Sequence, residues 1–263
     1  MTQLAIGTLG FLPAFSSAAS AAVEGREVVY QAGGATLKGY LASDLGRSGP
    51  RPGVLVVPEW WGLNDYARRR ARMLADLGFT ALAVDMYGEG RAVTLPDEAA
   101  ALAGNIRRSL PVAKERFMAA LALLKAQPTV DPQRIAAIGY CFGGGVALEM
   151  ARAGVDFKGA VSFHGNLGTE HPAQPGRVRA RILVLNGAAD PLAPPEQVAA
   201  FKKEMAAAGA DCKFIDYPGA LHAFTNPDSD ENGKRFKLPL AYNPEADRAS
   251  WRAMQEFFAK IFH

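Results

Sequence analysis

The segment Gly139-Tyr140-Cys141-Phe142-Gly143 puts a cysteine where the G-x-S-x-G nucleophile elbow carries a serine. An apolar run at residues 134–139 precedes it and a helix-period segment at 146–153 follows. A strand-to-helix turn this tight leaves no room for flanking side chains, which accounts for the glycines. It also lifts the central residue off the sheet edge. The helix N-terminus then brings backbone N–H groups and the positive end of a dipole to the sulfur, favouring the thiolate. That is chemistry for attack on a carbonyl. Taken alone, the pentapeptide also fits an inert buried cysteine in a glycine-rich turn.

A nucleophile needs a base, and the base needs an orienting carboxylate. The chain order that belongs with this elbow is nucleophile, acid, histidine. Asp190 follows the apolar run at 182–185, and His222 follows the run at 213–217, each within Gly- and Pro-containing loops. Cys141, Asp190 and His222 are therefore expected together at the carboxyl ends of parallel strands. His164 also follows a strand-like run, but no later acid–histidine pair would complete the order, so it is read as structural or pocket-lining. Asp85 precedes the nucleophile and is read as a loop-orienting carboxylate. Cys212, at the head of a strand, is read as a small buried hydrophobe.

The stretch Pro58-Glu59-Trp60-Trp61-Gly62-Leu63-Asn64-Asp65 follows a continuous apolar run at 54–57. The loop at this place supplies the second oxyanion N–H, the first coming from the residue after the nucleophile. Trp60 and Phe142 are the expected backbone donors. The two tryptophans suit a core or a substrate wall equally. Glu59 is an acid at the end of a buried strand, which requires a hydrogen-bond partner.

To hold these groups at one edge, the chain must alternate strands and helices. Apolar runs at 54–57, 80–84, 134–139, 159–163, 182–185 and 213–217 read as strands, most of them buried on both faces. Helices are expected from the Asn64 cap to Gly78, over 112–126 and 146–153, along Val198, Phe201, Met205 and Ala208, and from Asn243-Pro244 to the C-terminus. This alternation predicts an α/β fold, a mostly parallel sheet with helices on both faces, in a single domain over residues 23–263. Residues 227–242 read as an irregular polar loop, either covering the functional edge or connecting elements in solvent.

Composition narrows the class without naming a function. With 263 residues, 49% hydrophobic and 21% charged, the chain is globular rather than disordered or fibrous. A net charge of +3 without a basic run argues against a nucleic-acid partner. Two cysteines make neither a disulfide framework nor a zinc cluster, and no metal or cofactor is expected. The apolar stretch at 4–15 is shorter than the roughly 20 residues needed to span a bilayer, so no membrane insertion is expected. Small residues at 19–22 suit a signal-peptide cleavage site, yet no Lys or Arg precedes Arg26. Residues 1–22 read as an N-terminal extension with signal-like features. If it is a signal peptide the chain is periplasmic or secreted; otherwise it is cytoplasmic. A monomer or small homo-oligomer is expected.

From about Gly25 to the C-terminus the sequence resembles the dienelactone hydrolase (carboxymethylenebutenolidase) family of α/β-hydrolases. The resemblance rests on Glu59-Trp-Trp-Gly-Leu-Asn64, Asp85-Met-Tyr87-Gly88, Gly139-Tyr-Cys-Phe-Gly-Gly144, Asp190 and His222-Ala-Phe224. It implies the α/β-hydrolase fold and a Cys141–His222–Asp190 triad cleaving an ester or lactone. It also implies that Glu59 hydrogen-bonds the resting thiol and helps to form the thiolate. The family holds its substrate's carboxylate with two arginines, and the matching positions here are Glu89 and Asn226. Arg91 stands near the first. An acid in place of the clamp would repel a carboxylated lactone. The expected substrate is accordingly a neutral or apolar ester or lactone, in a pocket drawing on Trp61, Tyr87, Glu89, Arg91, His164, Phe224 and Asn226. The alternatives are an idle binding protein on the same fold and a thiol redox enzyme using Cys141.

Overall fold

The six runs expected as strands form one sheet with two further strands that precede them, and helices fill the segments between, in a computed structural model that describes residues 23–263. The reading of residues 1–22 lies outside the described residues. In chain order the elements are β1 (Val23–Ala32), β2 (Ala35–Asp44), β3 (Arg51–Val57), α1 (Asp65–Asp76), β4 (Thr80–Ala83), α2 (Pro96–Arg107), α3 (Leu110–Lys125) and β5 (Val130–Tyr140). Then come α4 (Phe142–Arg152), β6 (Gly159–Phe163), β7 (Arg181–Gly187), α5 (Pro195–Ala207), β8 (Cys212–Tyr217), α6 (Ser229–Phe236) and α7 (Pro244–Ile261).

The sheet order is β1-β2-β4-β3-β5-β6-β7-β8. From β4 to β8 every pairing is parallel, while β1–β2 and β2–β4 are antiparallel. The antiparallel edge comes from a hairpin whose two-residue turn, Gly33-Gly34, takes φ of 56° and 78°, values that glycine adopts without strain. Strand alternation divides the core. Leu55, Val57, Ile135, Ala137, Ile182 and Val184 face α2–α5, whereas Val54, Val56, Ala136, Ile138, Val161 and Leu185 face α1 and α7. A sheet covered on both faces needs such continuous apolar strands.

After β3 the chain turns to β4 on one side, then crosses back to β5 on the other. The carboxyl ends of β3 and β5 therefore flank the switch point where open α/β sheets form their crevice. Two expectations need correction. The stretch 227–242 contains a helix, α6, and residues 96–107 form α2. The stripe of α2 is Ala99, Ala103 and Ile106, too weakly apolar to show as a period in the sequence. Among the described residues no helix is long and apolar enough to cross a membrane.

Candidate active site

Helix α4 starts directly after Cys141, four residues earlier than the sequence period suggests, so Cys141 is its N-cap. Cys141 takes φ 52° and ψ −116°, the strained geometry of an elbow. A Cβ at Gly139 would collide with the Gly143 carbonyl, and one at Gly143 with the carbonyls of Val57 and Pro58. Those two glycines let α4 press against the exit of β3. The Cys141 N–H is shared between Phe163 O at 3.0 Å and His164 Nδ1 at 3.2 Å.

Asp190 stands three residues beyond β7 and His222 five beyond β8. His222 Nδ1 and Asp190 Oδ2 lie 2.7 Å apart, both groups buried, and Asp190 Oδ1 accepts the Leu192 N–H at 2.8 Å. With Nδ1 committed, Nε2 is left facing the cavity that Cys141 and His222 both line, with no aligned hydrogen-bond partner. Burial opposes a charge on His222, but the negative charge at Cys141 and the Asp190 carboxylate outweigh it. Together they raise the imidazole to about 10. Asp190 thereby anchors the ring whose free nitrogen faces the cavity beside Cys141.

Among the described residues neither the Trp60 nor the Phe142 N–H donates a hydrogen bond. Tyr87 braces both residues: its hydroxyl donates to Trp60 O at 2.9 Å and its ring lies 5.7 Å from that of Phe142. Asp85 accepts the N–H groups of Lys38, Tyr87, Gly88 and Gly90, which orients this loop. Trp60 and Trp61 pack on each other at 4.9 Å, and both line the cavity.

Glu59 is 3% exposed, accepts from Asn226 Nδ2 at 2.7 Å through Oε2, and keeps Oε1 without a partner. Burial raises its carboxyl to about 7, against the opposing pull of the Asn226 hydrogen bond. An acid whose folded value exceeds its unfolded one stabilises the fold least at high pH. The favourable contribution is complete below the ordinary carboxylate value of 4.5 and is lost as pH rises through 7. A shift of this size corresponds to roughly 3 kcal/mol. Replacing Glu59 with Gln should therefore raise the melting temperature at pH 8.5 and leave it nearly unchanged at pH 5. Calorimetry showing equal shifts at both values would contradict this.

His164 does not line the cavity. It is 1% exposed with φ 40°, and burial, then the charges of His222 and Arg70, hold it far below the usual imidazole range. Because Nδ1 accepts from Cys141, Nε2 carries the proton and donates to Thr225 Oγ1 at 2.7 Å. Thr225 continues to Tyr66 at 2.6 Å, and Arg70 bonds Tyr66, the Thr225 carbonyl and Asp247. Arg70 thus ties α1, α7 and the His222 loop together from a position 3% exposed. Removing one partner of such a buried network costs about 3–5 kcal/mol. An Arg70→Ala chain should lose at least 8 °C in Tm; a loss below 2 °C would show the clamp to be dispensable.

Five other residues expected around the pocket stand elsewhere. Tyr87 lies behind Trp60. Glu89 is exposed and pairs with Lys38 at 2.9 Å, because φ 55° turns it outward. Arg91 is exposed, and its carbonyl accepts the Leu63 N–H. Phe224 is fully buried against His164 and Tyr217, the positive φ of Ala223 turning it inward. Asn226 is buried on Glu59.

The cavity itself holds about 400 Å³. Besides the groups above, it is lined by Arg107 from the end of α2, Asn166, Leu192 and the segment Leu238-Pro239-Leu240 after α6. The backbone of that segment is joined to the His222 loop through Ala241 N–H to His222 O at 3.3 Å. The apolar triplet inside a polar stretch was the one sequence signal for it. Among the described residues no group of three or more His, Cys, Asp and Glu is placed to hold a metal ion.

Known proteins resemble this chain over nearly its whole length. The model of the dienelactone hydrolase family matches residues 37–262. A relative from Escherichia coli K12, named "Putative carboxymethylenebutenolidase", is 30% identical, with 95% of this chain and 94% of the relative covered. A crystal structure of a dienelactone hydrolase-like promiscuous phosphotriesterase from metagenomic libraries is 39% identical and superposes with a TM-score of 0.87. It covers 93% of this chain and 100% of that one. A structure named "m3DLH" is 41% identical at the same TM-score, covering 92% and 100%. With the fold, the elbow and the family match in agreement, the chain belongs to the dienelactone hydrolase family of α/β-hydrolases.

Proposed function

We propose that this chain, a hydrolase by family, cleaves a small neutral ester or lactone through a thioester on Cys141. The observation that carries the reading is the Asp190–His222 hydrogen bond at 2.7 Å beside Cys141, with the Trp60 and Phe142 N–H groups unengaged in hydrogen bonds. The Cys141 thiolate attacks the carbonyl carbon, and the oxyanion takes the N–H groups of Trp60 and Phe142. His222, already protonated, passes its proton to the leaving oxygen as the tetrahedral intermediate collapses to a thioester. It then takes a proton from water, the hydroxide attacks the thioester, and the acid leaves with thiolate restored. Asp190 keeps the ring in the tautomer that directs Nε2 at the reaction.

Apolar walls from Trp60, Trp61, Leu192, Leu238 and Leu240 support a neutral substrate. Glu59 lines the same cavity as Cys141 and pairs with Asn226 rather than with the thiol, its second oxygen left free to meet a group entering the site. A phosphotriester is a second substrate class, supported by the 39% identical relative described as a promiscuous phosphotriesterase. The same two N–H groups would receive a phosphoryl oxygen.

The redox alternative lacks a partner thiol. Cys212 aligns through β6 and β7 with Ala137 of β5, three strands away. At ~4.8 Å per strand it lies ~14 Å off laterally, beyond the reach of a disulfide. Burial, then Asp211, also pushes its thiol up to about 11. Rapid quenching of the chain with p-nitrophenyl acetate, followed by peptide mass spectrometry, should find an acetyl group on Cys141. Turnover without any Cys141 adduct, even in a His222→Ala chain, would refute the thioester.

A further inference from the structure

A second cavity, of about 330 Å³, runs along α4 beside the catalytic one. The two share Arg107 and Asn166 as lining residues, so they are contiguous across that pair. Phe142 joins them chemically: its N–H faces the reacting carbonyl in the proposed mechanism, and its ring walls the second cavity.

The shape of this cavity follows from α4. Phe142, Val146 and Glu149 recur at i, i+4 and i+7 on one face, a run of ~10 Å, about the length of an eight-carbon chain. Gly145 keeps the wall low, since even a Cβ there would meet only Asn166 atoms at 3.4–3.5 Å. The opposite wall is Ile106, Leu110 and Ala113. Glu149 is held by Arg152 at 2.9 Å, so the one acid on that face is already compensated. Exposed Arg108, Glu170 and His171 also line the cavity, while the two facing walls are apolar and suit an alkyl group.

His222 decides which limb enters. It lines only the catalytic cavity, and the leaving oxygen it protonates must lie there. The acyl chain is then the limb that extends past Arg107 and Asn166. Arg107, its guanidinium 5.6 Å from the Phe142 ring centre, stands at the crossing. We infer that the cavity along α4 is an acyl-chain chamber and that the preferred substrates are esters of unbranched fatty acids of about eight carbons. This rests on the hydrolase reading above.

The test is kcat/KM for p-nitrophenyl esters from acetate to dodecanoate, with the intact chain. The octanoate-to-acetate ratio should be about tenfold or more, and dodecanoate should fall back, because the apolar run of α4 ends at Glu149. Leu110→Trp, at the partly exposed rim, should cut that ratio at least fivefold, and Gly145→Leu should do the same from the other wall. The inference is overturned if acetate is turned over through Cys141 but octanoate is no better. It is equally overturned if both folded variants keep the wild-type ratio. Absence of turnover on every ester would instead remove the hydrolase reading together with the chamber.

Discussion

A Cys141→Ala chain is expected to lose about 10⁴-fold or more in kcat/KM on p-nitrophenyl acetate, while its melting temperature stays within a few degrees of wild type. The sulfur is half-buried at the cavity wall, so its removal takes away chemistry and little packing. What survives should come from the Trp60 and Phe142 N–H groups polarising a bound carbonyl for attack by water. A Cys141→Ser chain should also be weak, because serine forms an anion far less readily than a thiol in a site shaped for sulfur. Alanine and wild-type chains with equal rates would leave an architecture without this reaction.

The second large effect belongs to Asp190. An Asp190→Asn substitution preserves shape but places an amide where His222 Nδ1–H now donates, so the ring turns over to the tautomer that points its proton the wrong way. A loss of about 10⁴-fold in kcat is expected. The imidazolium also loses one of the two anions that outweigh its burial, so His222 should become easier to deprotonate. NMR titration of the His222 ring should show its ionisation falling below that of wild type. An unchanged titration combined with full activity would place the orienting group elsewhere.

The placement of Cys141, Asp190 and His222 was legible in the sequence because each follows a strand that ends at glycine or proline. Parallel strands then deliver three distant loops to one edge, and chain order supplies the roles. The walls of the cavity were not legible, for two separate reasons. Arg107 and Leu238–Leu240 come from α2 and from beyond α6, whose small and polar faces carry little periodicity. Glu89, Phe224 and Asn226 were placed by their distance from a motif, but direction is set by backbone angles that residue spacing does not encode. Positive φ at Glu89 and Ala223 turns one side chain to solvent and the next into the core. The position matching a family arginine has become the partner of Glu59.

The close approach of Gly143 to the Val57 and Pro58 carbonyls has a consequence for how this protein can change. The spacing between the Trp60 and Phe142 amides, the proposed oxyanion donors, is set by main chain abutting main chain, with no side chain between that a mutation could swap. Drift along residues 106–113 and 229–240 can therefore re-shape which molecules are admitted while the reacting groups keep their separation. Part of the selectivity is therefore written apart from the rate, and a library randomised only in those two stretches should yield altered preferences without dead catalysts.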